Sequence, residues 1–346
     1  MRVNAYAAPA EGLPLVPTTV ERRPVGPTDV LVAVEYSGIC HSDLHTVRGE
    51  WGPRPYPLVP GHEIVGTVAE VGARVTAHRV GDRVGVGCLV NSCGQCAPCA
   101  GGDQQYCTAG PVFTYGSTDV DGSTTQGGYA THLVVDAGFV LSVPAGLDPA
   151  AAAPLLCAGI TTYAPLRRWG AGPGRRVAVV GLGGLGHLAV KIAHALGAEV
   201  TALSRSPKKE EDARRLGADH FSATADPATF STLAGRFDLL LNTVSADLDI
   251  NAHLGLLTLD GVLANVGAAP GPLLVDGHRL GSGRRVLTGS MIGGVAETRE
   301  MLEFCAAHGI TADIELIPAA SINTAYERVL AADVRHRFVI DAATFV

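Results

Sequence analysis

The chain has 346 residues, 47% of them hydrophobic and 17% charged, which suits a globular protein with more buried surface than one core usually organises. Its formal net charge of −7 comes without a basic block, which excludes nucleic acid as the main partner. No apolar run approaches the roughly 18 residues needed to span a bilayer, and the start Met1-Arg2-Val3-Asn4-Ala5-Tyr6 lacks the apolar centre of a signal peptide, so a cytoplasmic location without membrane contact is expected.

Residues 1 to about 150 read as β-rich, with short apolar runs at Val30–Tyr36 and Ile64–Val68 between Gly and Pro punctuation, and a turn leading into a further strand at Val80–Gly85. Beyond that point strands and helices alternate. Arg176–Val180 is a buried strand followed by a glycine-rich turn and a helix ending near Leu196; Val200–Ser204 is a strand, and a charged helix lies near Glu210–Leu216. Strands at Asp238–Asn242, Val262–Val266 and Arg285–Ser290 continue the series, which predicts a doubly wound parallel sheet of the α/β class. The tail is read as one helix, Thr298–His308, and a last strand near Arg337–Ile340 that returns to the first domain. The expected division is 1–152 with 295–346, and 153–294.

The turn after the first strand of the second domain is Gly181-Leu182-Gly183-Gly184-Leu185-Gly186. Strand before and helix after are the context a dinucleotide site needs: one glycine turns the chain, one lets the backbone approach a pyrophosphate, and one packs strand against helix. The helix N-terminus adds N–H groups and a positive dipole for the phosphates. The second strand ends in Ser204-Arg205-Ser206-Pro207-Lys208-Lys209, with no acid until Glu210. Hydroxyls and cations suit a ribose 2′-phosphate, where an acid would hold a free 2′-OH, so Ser204, Arg205, Ser206 and Lys209 favour NADP(H); a solvated basic turn is the competing reading.

Four of the eight cysteines, Cys93, Cys96, Cys99 and Cys107, lie within fifteen residues. One loop of that spacing wraps a tetrahedral ion, and four sulfurs leave no open position, so a structural zinc is expected, with an iron–sulfur cluster as the competing metal. Cys40, His62 and Cys157 are dispersed; each taken alone is equally a core side chain.

Together these features resemble the zinc-dependent medium-chain alcohol dehydrogenases, in the cinnamyl alcohol dehydrogenase-like branch of NADPH-dependent aldehyde reductases. The resemblance runs nearly end to end and is carried by GICHSDLHTVRGEW (38–51), Pro60–Glu63, the four-Cys loop, TQGG (125–128), APLLCAGIT (153–161), Gly181–Gly186 and GSMIG (289–293). It implies a β-rich GroES-like catalytic domain beside a Rossmann domain, two Zn2+ per chain and NADP(H). Cys40, His62 and Cys157 would hold a catalytic zinc whose open fourth position polarises a substrate oxygen, with Glu63 beside it as an alternate ligand. Asp43 would orient His62 through its other ring nitrogen. Ser42 and His45 match a proton relay to solvent.

The resemblance further places Thr161, Thr243, Gly267, Ser290 and Ile292 against the nicotinamide half or adjoining phosphates, and Arg337 against the pyrophosphate. His41 stands where several relatives carry Arg. The substrate wall is expected from Trp51, Leu58, Phe113 and Met291, a permissive pocket for aromatic and medium aliphatic aldehydes and the corresponding primary alcohols. Cys88 and Cys305 match nothing and are read as buried hydrophobes. A homodimer, doubled to a tetramer in some members, is implied by pairing of the sheet edge near Arg285–Ile292. Three competing readings are a polyol or secondary-alcohol dehydrogenase, a zinc-free reductase of activated double bonds, and a non-catalytic Rossmann binding module.

Overall fold

The structure is a computed structural model and describes residues 1–269, 271–331 and 333–345. It divides into two compact units, Met1–Cys157 with Gly293–Val346, and Ala158–Ile292. The division falls a few residues from the expected one. Cys157 stays with the first unit because the turn Ala153–Leu156 ahead of it is completely buried there.

In the first unit the ten-residue strand Asp29–Gly38 is the axis. Val30, Val32 and Val34 alternate into the main core, the pattern that half-buried antiparallel strands require. On one side it pairs with Ile64–Val71; on the other its first half pairs with His132–Asp136 and its end with Arg337–Asp341. A hairpin of Arg2–Ala7 and Val16–Glu21, not anticipated from the sequence, packs Val3, Ala5 and Ala7 into the same core. The tail is richer than expected: it holds two longer helices, Val295–Ala307 and Ile322–Leu330, and the strands Ile314–Pro318 and Arg337–Asp341.

The second unit is a six-stranded parallel sheet in the order His220–Ala223, Glu199–Ser204, Arg176–Val180, Phe237–Asn242, Leu257–Asn265, Val286–Gly289. The third, second and first strands are followed by the fourth, fifth and sixth, the doubly wound order of dinucleotide-binding sheets. Val177, Ala178 and Val179 have no exposure, as a central parallel strand covered on both faces demands. The helix Ala158–Arg168 escapes a sequence reading because Gly159, Thr161, Thr162 and Pro165 are poor helix formers. Burial overrides propensity here: every residue from Ala158 to Leu166 is buried. Among the described residues, no helix is long and apolar enough to cross a membrane.

Candidate active site

Strand pairing assembles the dispersed set. Ser37 lies opposite Ile64, and Gly38 N–H donates to the Glu63 carbonyl at 2.9 Å, so the ends carrying Cys40 and His62 arrive side by side. Cys157 enters from the buried turn behind them. The Cys40 and Cys157 sulfurs are 3.9 Å apart, and His62 Nε2 is 3.2 Å from Cys157 Sγ. With a Glu63 oxygen, all four donor atoms lie within 4.8 Å of one another, and all four residues are buried. Metal–ligand bonds of about 2.0–2.3 Å in a tetrahedron separate neighbouring donors by roughly 3.3–3.8 Å, so this set fits one zinc ion. The proton affinities are tied together. A hydrogen bond from Cys157 holds the Cys40 thiol well below its usual range and pushes Cys157 well above it.

Asp43 organises this centre. It sits at the third position of the helix His41–Val47, where its carboxylate reaches back to Cys40 N–H at 2.9 Å and closes the helix start. Its other oxygen accepts from His62 Nδ1 at 3.1 Å, leaving Nε2 for the donor set. Burial opposes protonation of His62, but the charges of Asp43 and Cys88 and the hydrogen bonds to Asp43 and Cys40 together raise the imidazole well above its ordinary value.

Ser42 and His45 share one face of the same helix, three residues apart. Ser42 Oγ accepts from Cys40 Sγ at 3.6 Å. His45 is partly exposed, its Nδ1 is bonded to the Glu50 carboxylate, and its ring stacks on Trp51 with centroids 5.1 Å apart. Arg337, expected at a pyrophosphate, is 4% exposed and ion-paired with Glu63. Burial pushes the Glu63 carboxyl up to about 7 against the pull of Arg337.

The four-Cys loop closes on itself. Cys93 and Cys99 sulfurs are 4.0 Å apart, as are those of Cys96 and Cys107, and all four fall within 4.8 Å of one another. That spacing holds a single ion and leaves no volume for a polynuclear cluster. Backbone N–H groups of Cys93 and Thr108 point at Cys107 Sγ and Cys96 Sγ, at 3.4 and 3.5 Å, which favours thiolates. The Thr108 contact leads the causes that bring Cys96 down to about 6.

In the second unit the expected nucleotide residues other than Thr161 lie at or beyond the carboxyl ends of the parallel strands, where such sheets bind ligands. Gly181 follows Val180 with φ +92°, and Gly186 opens the helix Gly186–Ala195 so near the turn that a Cβ would stand 1.9 Å from the Gly181 carbonyl oxygen. Between them Leu182 is buried, Gly183 exposed, and Gly184 and Leu185 half-buried. Ser204 ends its strand; Arg205 is exposed; Ser206 accepts from Lys208 N–H at 3.3 Å, and Lys209 closes the short turn that follows. Thr243 follows Asn242 and donates to the Val180 carbonyl at 2.8 Å. Gly267 and Ser290 lie just past the next two strand ends, Ile292 ends the unit with φ +42°, and Thr161 is buried on the helix Ala158–Arg168.

Of the expected pocket residues, Trp51, Phe113 and Met291 are exposed, at 46%, 36% and 39%. Leu58 is not a wall residue: it has no exposure, belongs to the main core, and its backbone is paired with Ala8. Cys305 is buried, as expected, 3.6 Å from Met301 Sδ, and burial pushes its thiol up to about 12. Cys88 is only half-buried, with its sulfur 3.9 Å from the Leu156 carbonyl, directly behind Cys157. Sequence reasoning missed Glu50, Tyr115 (ring centroid 5.7 Å from His62) and Tyr129, which donates to Asp43 at 3.2 Å. No spacing rule points to any of the three.

Comparison with known proteins places this geometry in a family. Residues 26–145 match the alcohol dehydrogenase GroES-like domain, and 184–307 match the zinc-binding dehydrogenase family. An "NADP-dependent alcohol dehydrogenase C 1" from Mycolicibacterium smegmatis is 60% identical, covering 99% of this chain and 98% of its own. A cinnamyl alcohol dehydrogenase from Sorghum bicolor superposes with a TM-score of 0.96 at 44% identity, over 99% of this chain and 98% of that one. A second, from Helicobacter pylori and complexed with NADP(H), gives 0.93 at 41% identity, over 99% of each chain. The chain belongs to the zinc-binding medium-chain alcohol dehydrogenases, in their cinnamyl alcohol dehydrogenase-like branch.

Proposed function

We propose that this enzyme is a zinc-dependent NADP(H) alcohol dehydrogenase working as an aldehyde reductase on aromatic and medium aliphatic aldehydes and the matching primary alcohols. The observation that carries the reading is the convergence of Cys40, His62 and Cys157 on one buried point within 4.8 Å. When bound, zinc supplies a Lewis acid toward a substrate oxygen and NADPH supplies the hydride. Cys40, His62 and Cys157 bind the ion, and Glu63, anchored by Arg337, stands beside it as the alternate donor. Cys93, Cys96, Cys99 and Cys107 bind the second, structural zinc.

Asp43 keeps the His62 Nδ1 proton so that Nε2 binds the metal. Ser42 takes up or delivers the proton at the substrate oxygen, and His45 passes it to solvent, held in place by Glu50. Gly181–Gly186 and the helix N-terminus receive the pyrophosphate. Ser204, Arg205, Ser206 and Lys209 receive the 2′-phosphate, a reading supported by the NADP dependence named for the relative at 60% identity. Thr161, Thr243, Gly267, Ser290 and Ile292 serve the nicotinamide half and adjoining phosphates. Trp51, Phe113 and Met291 remain as substrate-wall residues. The strand Val286–Gly289, at the edge of its sheet, offers its unpaired side to a second copy, giving a cytoplasmic homodimer or a doubled tetramer.

A panel of aromatic, aliphatic and polyol substrates read by nicotinamide absorbance with NADPH and NADH, alongside zinc analysis, tests the reading. Aldehyde reduction favouring NADPH, with two zinc ions per chain, is expected. Turnover that survives complete zinc removal, or a preference for polyols, overturns it.

A further inference from the structure

Asp43 has no exposure, and its two oxygens accept four hydrogen bonds. Oδ1 accepts from Gly61 N–H and His62 Nδ1, both at 3.1 Å. Oδ2 accepts from Cys40 N–H at 2.9 Å and from the Tyr129 hydroxyl at 3.2 Å. A carboxylate offers about four lone-pair sites, which these donors fill, and the buried Tyr115 hydroxyl interacts with the same carboxylate. Three of the donors belong to the segments that carry Cys40 and His62. The fourth, Tyr129, comes from elsewhere in the chain.

Tyr129 is held in place independently. Its segment is zipped onto the chain ahead of His62 by three backbone bonds: Gly127 N–H to Val59, Gly128 N–H to Gly61 and Tyr129 N–H to Pro60, at 2.7, 2.9 and 3.0 Å. The ring is fully buried and fills the space where Gly61, at φ +104°, would carry a side chain: a Cβ there would stand 2.5 Å from Tyr129 Cδ1. The hydroxyl also lies 3.5 Å from the Gly38 carbonyl; its one proton goes to the nearer, charged acceptor.

We propose that Tyr129 is a positioning residue for the catalytic zinc, acting through Asp43 to fix the imidazole of His62 and the start of the helix that follows Cys40. The inference rests on the zinc role given to Cys40, His62 and Cys157 above. Removing the hydroxyl takes the Tyr129 donor from Oδ2, keeps the ring against Gly61, and loosens the carboxylate that orients the ligand. Partners one step from a metal ligand alter affinity by about 10–100-fold, and Tyr129 stands one step further, so an effect of about 3–10-fold is expected.

The test is release of zinc from the purified enzyme to the chromogenic chelator 4-(2-pyridylazo)resorcinol. Wild type should release zinc in two phases, and Cys157→Ala should lack the one belonging to the catalytic site. Tyr129→Phe should accelerate that phase about 3–10-fold and leave the other unchanged. In an Asp43→Asn background the same substitution should add little, because its route is gone. A catalytic phase unchanged in Tyr129→Phe, equal acceleration of both phases, or full additivity with Asp43→Asn overturns the proposal while leaving the zinc assignment standing. A wild type with no Cys157-dependent zinc overturns both.

Discussion

The Arg337 guanidinium is ion-paired with the Glu63 carboxylate, and the two side chains are 4% and 0% exposed. Breaking a buried pair from one side leaves a charge without compensation, at about 3–5 kcal/mol. Glu63→Gln, which leaves the Arg337 guanidinium charged and unpaired, should therefore lower unfolding stability by that order in urea titrations. The double variant Glu63→Gln/Arg337→Met should lose clearly less than the two single losses added, since it strands no charge. Simple additivity would show that the contact contributes nothing.

The two cysteine sets should separate on zinc analysis. Cys157→Ala is expected to keep one zinc per chain and lose turnover with little change in Tm. Cys96→Ala should also keep one zinc, but with a marked fall in Tm, because that ion closes a loop that has little core of its own. If either variant lost both ions, the sites would not be independent.

Ser204 ends the strand Glu199–Ser204, ahead of the exposed Arg205. A carboxylate there would repel a 2′-phosphate and accept from a free 2′-OH. Ser204→Asp should move the ratio of kcat/KM for NADPH over NADH by about 10–100-fold toward NADH, equivalent to roughly 1.4–2.8 kcal/mol. An unmoved ratio would place the phosphate elsewhere.

Glu50 bonds His45 Nδ1 from an exposed position five residues on. Glu50→Gln keeps the shape but weakens the hold on the ring, and should lower kcat about 3–10-fold at unchanged KM. His45→Ala should cost more, toward the about 100-fold scale of a general acid–base group. Steady-state kinetics and the solvent isotope effect on kcat distinguish these; a change confined to KM would remove Glu50 from proton transfer.

Leu58 is wholly buried in the main core. Leu58→Ala should destabilise the enzyme by about 2–5 kcal/mol through the lost contacts and the cavity left behind. KM values across the aldehyde panel should stay within about twofold, because a core cavity acts on folding stability and leaves the substrate wall in place. Altered substrate preference with intact stability would return Leu58 to the pocket.

Local features are legible in the sequence because their physics is local. Gly181–Gly186 between a buried strand and a helix, the close spacing of Cys93 to Cys107, and the strand–helix alternation of the second unit each act within one loop or one period. The helix Ala158–Arg168 is not legible, since Gly159, Thr161, Thr162 and Pro165 are poor helix formers and burial overrides them. Cys40 and Cys157 stand 117 residues apart, Tyr129 and Asp43 86, and Arg337 and Glu63 274. The family resemblance names the first pair and assigns Arg337 a different partner; it is silent on Tyr129. Strand register decides such meetings, by setting which ends of Asp29–Gly38, Ile64–Val71 and Arg337–Asp341 lie side by side. Register depends on the whole sheet, and so does whether an apolar residue such as Leu58 faces the core or a substrate.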